Sequence, residues 1–91
     1  MQNETKSSAS NRLARIEGQV RGIANMIEDD RYCIDVVRQL QATKAALAGV
    51  EKLILDDHIN TCVASALSGN DLTERREKVE ELVAVLGGQK K

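Results

Sequence analysis

The sequence predicts an all-α protein. The 91-residue chain contains no proline, it is rich in alanine, leucine, glutamate, arginine and lysine, and its apolar residues recur at helical spacing. A chain of this length forms one domain at most, so residues 1–91 are expected to make a single small domain. Tyr32 is the only aromatic residue. Because the large side chains that usually fill a core are missing, we expect the chain to complete its core by oligomerising.

The first helix is predicted from the segment NRLARIEGQVRGIANMIE, residues 11–28. Its apolar residues recur in alternating steps of three and four, which is typical of a helix that packs against other helices. These residues are Leu13, Ile16, Val20, Ile23 and Ile27. The preceding residues 1–10 are expected to be disordered or frayed. Asp29 and Asp30, which follow the helix, are candidate N-caps for the next one.

The second helix is predicted to begin near Arg31 and to continue without a break until Gly69, since helices tolerate one glycine at position 49. Asp71 and Glu74 then resemble a capping box. A short third helix follows and ends at Gly87–Gly88. The prediction is therefore two long helices and one short helix per chain. Two long helices make half a bundle, so a dimer forming a four-helix bundle is the simplest way to close the core.

The only histidine, His58, and the two cysteines, Cys33 and Cys62, fall on one stripe of the predicted second helix. At 100° per residue, His58 and Cys62 each lie within about 20° of Cys33 around the helix axis. A continuous helix would separate Cys33 from His58 by roughly 37 Å, so the two cannot meet within one chain. A second, antiparallel chain with a two-fold axis near residues 46–47 would bring Cys33 to the partner's His58 and the partner's Cys62.

Two thiolates and one imidazole suit Cu(I), which accepts a low coordination number and prefers sulfur, whereas Zn(II) requires a fourth ligand. The alternative is structural, since a lone cysteine on a helix is usually a small buried residue and a lone histidine beside acids is usually a surface residue. Spacing alone leaves both interpretations open, and the shared stripe favours the metal site. No pair of residues suggests a catalytic acid and base beside a pocket, so an enzyme is not predicted.

Charge and targeting signals add weaker constraints. The net charge is −1, but residues 1–27 carry an excess of basic side chains, including Arg12, Arg15 and Arg21. These arginines form either a nucleic-acid-binding face or a solvated face paired with Glu17. No signal peptide or apolar run of membrane length is visible, so a cytoplasmic protein with free thiols is expected.

The run NRLARIEGQVRGIANMIEDDRYC, followed by DDHINTC, resembles the CsoR/RcnR family of bacterial metal- and stress-responsive repressors over roughly residues 11–86. The resemblance implies an antiparallel four-helix-bundle dimer, usually assembled into a dimer-of-dimers tetramer, that binds DNA through a basic helical face without a helix-turn-helix. Copper-sensing members use a Cys, His, Cys pattern, which matches Cys33, His58 and Cys62. Nickel- and cobalt-sensing members carry an additional N-terminal histidine that is absent here. Formaldehyde sensors lack the second cysteine, and persulfide sensors lack the histidine.

The resemblance also implies residues that transmit the signal. Tyr32 precedes Cys33 as in the copper sensors, and Glu81 lies where those proteins have a glutamate. The segment after Cys62 is a few residues longer here, so Glu80 and Glu77 stay open as alternatives. A network of Tyr32 and this glutamate with His58 would reposition the third helix when Cu(I) binds.

On the DNA-binding side, Arg12 corresponds to a family arginine that contacts DNA, with Arg15 and Arg21 as neighbours. At a second position that is basic in the family, this chain has Gly49, and Lys44 and Lys52 lie nearby in the sequence.

The implied function is a Cu(I)-responsive repressor that binds operator DNA in its apo form and releases it on Cu(I) binding, which derepresses copper-resistance genes; a copper chaperone is a candidate metal donor. The alternatives are a persulfide- or aldehyde-responsive thiol sensor of the same family, and a metal-buffering bundle without a role on DNA.

Overall fold

A computed structural model describes residues 1–69 and 71–87, and every regular element within them is helical. Helix α1 spans Asn3–Glu28, α2 spans Cys33–His58, a π-helical turn spans Ile59–Val63, α3 spans Ala64–Ser68 and α4 spans Leu72–Leu86. We call the segment Ile59–Val63 the π turn.

The predicted fold of two long helices and one short helix is confirmed, because α2, the π turn and α3 form one helical run that ends before Gly69. The last helix ends at Gly87, as predicted, and the N–H of Gly87 donates to the carbonyl of Val83. Gly88, the other predicted end residue, lies outside the described residues. None of the helices in residues 1–69 and 71–87 carries an apolar stretch of the length that a bilayer requires.

The chain divides into two compact units, Met1–Leu55 and Asp56–Lys91. The first unit is a hairpin of α1 and most of α2. Its core contains the buried residues Ala9, Ile16 and Val50, against which Ala46, Leu53 and Ile54 pack. Because residues early in α1 meet residues late in α2, the two helices run antiparallel.

The predicted apolar seam of α1 is only partly buried within a single chain. Ile16 and Ile23 are buried, whereas Leu13, Val20 and Ile27 stay exposed. The exposed residues recur every seven positions, so α1 retains an apolar row outside the hairpin core.

The structure corrects the expectation that residues 1–10 are disordered. Helix α1 begins at Asn3, and Ala9 is only 5% exposed because it packs into the hairpin core two turns before Ile16. The segment around Ala9 is rich in serine, so its single small core residue gave little sign of burial. Glu4 lies in the first turn, where its charge complements the helix dipole.

The connection after α1 also differs from the prediction that Asp29 and Asp30 cap the second helix. Asp29 is the C-cap of α1, and Asp30 adopts a left-handed conformation with φ of 55°. The N–H of Arg31 donates to the carbonyl of Met26 at 2.9 Å, and that of Asp30 donates to Ile27 at 3.1 Å. This pair of bonds is a Schellman motif, which closes α1 instead of opening α2. The second helix therefore begins two residues later than predicted.

The second unit contains the π turn, α3 and α4, and α4 packs against both of the other elements. The Oδ1 atom of Asp71 accepts hydrogen bonds from the N–H groups of Thr73 at 2.9 Å and Glu74 at 3.2 Å, which confirms its predicted role as N-cap. Arg75 of α4 also binds the residue that follows α3, because its Nη2 atom donates to the carbonyl of Gly69 at 2.8 Å. Ala66 is buried in this unit, whereas the apolar residues Leu72, Val79, Val83 and Leu86 of α4 stay exposed.

Candidate metal centre and basic face

His58 and Cys62 lie at a change of helix type. His58 is the last residue of α2, and Cys62 lies within the π turn. The N–H of Ala64 donates to the carbonyl of Ile59, five residues earlier, as in a π-helix. The constant 100° step used to place Cys62 from the sequence therefore does not apply across this turn. Single π-helical turns are rare and are frequent at functional sites.

His58 faces a carboxylate of α4. Its Nε2 atom lies 3.8 Å from Oε1 of Glu81, with exposures of 32% and 58% for the two side chains. This distance suits an ion pair with a protonated imidazole and is longer than a direct hydrogen bond. Of the three glutamates that the sequence left open, the structure therefore places Glu81 in contact with His58. With Nε2 turned to Glu81, Nδ1 is the ring nitrogen left for another partner.

Cys62 carries a free, exposed thiol. The neighbouring Thr61 Oγ1 donates to the carbonyl of Asp57 at 2.8 Å and lies 3.6 Å from Cys62 Sγ. Thr61 is not among the site residues predicted from the sequence. The available signal is its position four residues after Asp57, because threonine hydroxyls in helices often bond the carbonyl of residue i−4.

Cys33, the third predicted ligand, is the first residue of α2 and also carries a free, exposed thiol. Tyr32 precedes it and is 67% exposed. Helix α2 runs unbroken from Cys33 to His58, as predicted from the sequence. A helix of this length rises by roughly 37 Å between its first and last residues. Within residues 1–69 and 71–87, no three side chains of His, Cys, Asp or Glu group closely enough to hold a metal ion.

Arg12 and Arg15 line two grooves of the first unit. One groove of about 610 Å³ follows the first turns of α1. It is lined by Asn3, Glu4, Ser7, Ser8, Asn11, Arg12 and Arg15. The other, of about 300 Å³, lies between α1 and α2 and includes the apolar Ile16 and Ala46. Arg12 Nη1 lies 3.7 Å from the position that a Cβ atom on Gly49 would occupy, so this arginine lies over the glycine.

The other predicted DNA-binding residues lie outside these two grooves. Arg21 Nη2 lies 3.8 Å from Glu17 Oε1, one helical turn away, and both side chains are largely exposed. An exposed pair of this kind stabilises the fold by less than about 1 kcal/mol, so Arg21 exchanges partners easily. Lys44 and Lys52 are exposed on α2.

A helical chain that carries thiol and imidazole side chains on one part and an arginine-lined helix on another has the components of a ligand-sensing, DNA-binding protein. The model of the metal-sensitive transcriptional repressor family matches residues 5–87. The chain belongs to this family, which confirms the resemblance noted in the sequence, and the family is one of repressors and not of enzymes.

Relatives named as copper sensors support this assignment. The copper-sensing transcriptional repressor CsoR of Bacillus subtilis (strain 168) is 52% identical over 66 residues, which are 72% of this chain and 65% of that protein. The copper-sensing transcriptional repressor RicR of Mycobacterium tuberculosis (strain ATCC 25618 / H37Rv) is 49% identical over 65 residues, which are 71% of this chain and 68% of that protein. The chain thus spans about two thirds of the length of these relatives.

Two solved structures share the fold. The crystal structure of the copper-sensing repressor CsoR with Cu(I) from Geobacillus thermodenitrificans NG80-2 is similar with a TM-score of 0.85 and 40% identity, over 97% of this chain and 88% of that one. The nickel-responsive transcriptional regulator InrS is similar with a TM-score of 0.75 and 36% identity, over 85% of this chain and 86% of that one.

Proposed function

We propose that this protein is a Cu(I)-responsive transcriptional repressor that binds operator DNA in its apo form and releases it when Cu(I) binds. The observation that carries the proposal is the free Cys62 thiol on the π turn, four residues after His58, whose imidazole faces Glu81 of α4. The copper-sensing relatives support Cu(I) as the signal.

The proposed metal site is shared between two chains. Cys33 of one chain would join the partner's His58 and the partner's Cys62, because the length of α2 keeps these residues apart within one chain. Two thiolates and an imidazole are a soft, three-ligand set that fits Cu(I). His58 would bind through Nδ1, which the contact between its Nε2 atom and Glu81 leaves available. When bound, the metal supplies a fixed link between ligands of two chains.

The proposed switch acts through α4. A ligating histidine normally donates its other ring N–H to a carboxylate or hydroxyl group. Glu81, whose Oε1 lies 3.8 Å from Nε2, is the proposed acceptor, with the Tyr32 hydroxyl as the second predicted member of the network. Shortening the 3.8 Å contact between His58 and Glu81 would move α4 relative to the π turn. Cu(I) weakens DNA binding only if it binds the DNA-free form more tightly.

The proposed DNA-binding face is centred on Arg12 and Arg15, with Arg21, Lys44 and Lys52 as further phosphate contacts. A chain with a net charge of −1 can bind DNA when a dimer or tetramer repeats this local basic face, and binding should then depend strongly on salt. The proposed setting is the cytoplasm, the proposed targets are operators of copper-resistance genes, and a copper chaperone is the proposed donor of the metal.

The test is an anaerobic Cu(I) titration combined with operator binding. We expect one Cu(I) per chain and a loss of operator affinity on loading. His58→Ala should abolish the Cu(I) response while the apo variant still binds operator DNA. The proposal is wrong if Cu(I) leaves operator affinity unchanged.

A second candidate, a persulfide- or aldehyde-responsive thiol sensor, is favoured by the two free and exposed cysteines. Such a sensor would respond by forming a link between Cys33 of one chain and the partner's Cys62, with His58 acting only as a base beside a thiol. His58→Ala would then keep most of the response to persulfide. This result, together with no response to Cu(I), would replace the first candidate with the second.

A further inference from the structure

We propose that Thr61 is a positioning residue for Cys62. Its hydroxyl group lies within reach of both the carbonyl of Asp57 and Cys62 Sγ, and in the Cu(I)-bound form it donates its hydrogen to the sulfur and so fixes the orientation of the sulfur. This inference rests on the proposed Cu(I) site. It concerns a neighbouring side chain that is not itself a metal ligand.

The geometry around the hydroxyl group carries the proposal. Thr61 Oγ1 lies 2.8 Å from the carbonyl oxygen of Asp57 and 3.6 Å from Cys62 Sγ. A hydroxyl group has one hydrogen, so it donates to the carbonyl or to the sulfur, or shares the hydrogen between them. Asp57 is buried, with only 7% of its surface exposed. The Thr61 side chain is itself stiff at χ1, since its Cβ is branched.

Thr61 lies within the π turn, three residues after the end of α2. Its hydroxyl group bonds the carbonyl of residue i−4, as threonine hydroxyls in helices often do. This bond places the Thr61 oxygen atom beside the sulfur of the next residue.

The expected consequence is a change in metal affinity. Groups that orient a metal ligand typically alter metal affinity by about 10–100-fold when they are removed. Thr61→Val keeps the shape and branching of the side chain and removes only the hydroxyl group. We expect it to weaken Cu(I) binding by about 10-fold, at the lower end of that range, because Thr61 contacts only one of the three proposed ligands.

The experiment measures Cu(I) affinity in the full-length protein, under anaerobic conditions, by competition with a chromophoric Cu(I) chelator. Thr61→Val should bind more weakly and should shift the sulfur-to-copper absorption of the loaded protein. Thr61→Ser restores a hydroxyl group and should lie closer to the parent protein than to Thr61→Val. Circular dichroism of the apo variants checks that their helix content is kept. If Thr61→Val has a lower helix content, Thr61→Ala is the second variant without a hydroxyl group.

Thr43→Val is the matched control. Thr43 Oγ1 makes the same type of bond, to the carbonyl of Gln39 at 2.9 Å, but it lies in the other unit of the chain. This variant should keep the parent Cu(I) affinity and absorption.

Three results would overturn the inference: Thr61→Val that binds like the parent, Thr61→Ser that binds as weakly as Thr61→Val, or an equal loss in Thr43→Val. His58→Ala separates the two levels of the proposal. If it leaves Cu(I) affinity unchanged, the metal site itself is wrong. If it weakens binding while Thr61→Val does not, only the role of Thr61 is wrong.

Discussion

Arg12, like Arg15, lines both grooves of the first unit, and it is the arginine that lies over Gly49. If it contacts a DNA phosphate, Arg12→Ala should lower operator affinity by a similar factor for all DNA sequences. The slope of log affinity against log salt concentration should become less steep by about 1 for each copy of Arg12 that contacts a phosphate. Binding titrations at several salt concentrations measure both quantities.

The control for Arg12→Ala is Arg76→Ala, which removes an exposed arginine of α4 that is assigned no role on DNA. It should leave the salt slope unchanged. An unchanged slope in Arg12→Ala as well would show that Arg12 belongs to a solvated face, the alternative that the sequence left open.

The candidate ligands could be recognised from the sequence because residue type and spacing carry that information. His58, Cys62 and Cys33 are the only side chains of their types, and the distance between Cys33 and His58 along one long helix can be calculated. The angular position of Cys62 could not be, because the π turn lies between it and α2. The contact of Glu81 with His58 needed the structure, since three glutamates were available and only packing of α4 selects one. The position of Thr61 four residues after Asp57 suggests the bond to the Asp57 carbonyl, but only the structure shows that its hydroxyl group also lies 3.6 Å from Cys62 Sγ.

At the scale of the helices, aspartate has different roles at the end of α1 and at the start of α4. An aspartate before an apolar run predicted the cap of α4 correctly, because Gly69 had already ended the preceding helix. Asp29 and Asp30 lie between two helices without a glycine, so an aspartate could cap either one. Aspartate tolerates the left-handed conformation better than most residues, and here Asp30 adopts it to close α1.

Asp30 therefore provides a test of helix termination. Asp30→Gly should raise the free energy of unfolding by up to about 1 kcal/mol, because glycine adopts a φ of 55° without steric strain. Chemical denaturation at one fixed chain concentration measures the change.

Asp29→Gly is the matched control, since it removes the same charge from the adjacent residue, whose φ is −86°. This variant should gain no stability from relief of backbone strain. Equal changes in the two variants would assign the effect to the lost charge near the end of the helix.

At the scale of the whole molecule, the exposed apolar rows indicate that one chain leaves its core incomplete. Leu13, Val20 and Ile27 of α1 are exposed, as are Val37 and Leu47 of α2. Hydrophobic surface of this extent is typical of a protein-protein interface. The sequence predicted this incompleteness from the lack of large aromatic residues. It also predicted the antiparallel pairing of two chains, which a single chain leaves untested.

Subunit mixing tests the proposed shared site. Cys33→Ser and Cys62→Ser should each abolish tight Cu(I) binding when prepared alone. When the two variants are unfolded and refolded together, each mixed dimer regains one intact site. An equal mixture should therefore recover about one quarter of the Cu(I) bound by the parent, since half of the dimers are mixed and each has one of two sites.

Chemical cross-linking with a short bifunctional maleimide gives an independent reading of the same mixture. Only mixed dimers should become covalently linked, because the antiparallel arrangement keeps identical cysteines apart. No recovery of Cu(I) binding on mixing, or cross-linking in either variant alone, would contradict the antiparallel site.

The exposed Tyr32 side chain, immediately before Cys33, has a practical consequence. Since the chain contains neither tryptophan nor phenylalanine, all of its intrinsic fluorescence comes from this single residue. Its emission is therefore a built-in optical reporter, free of background from the rest of the chain, placed next to one of the proposed ligands. A change in quantum yield on loading would follow events at Cys33 in real time, without any label.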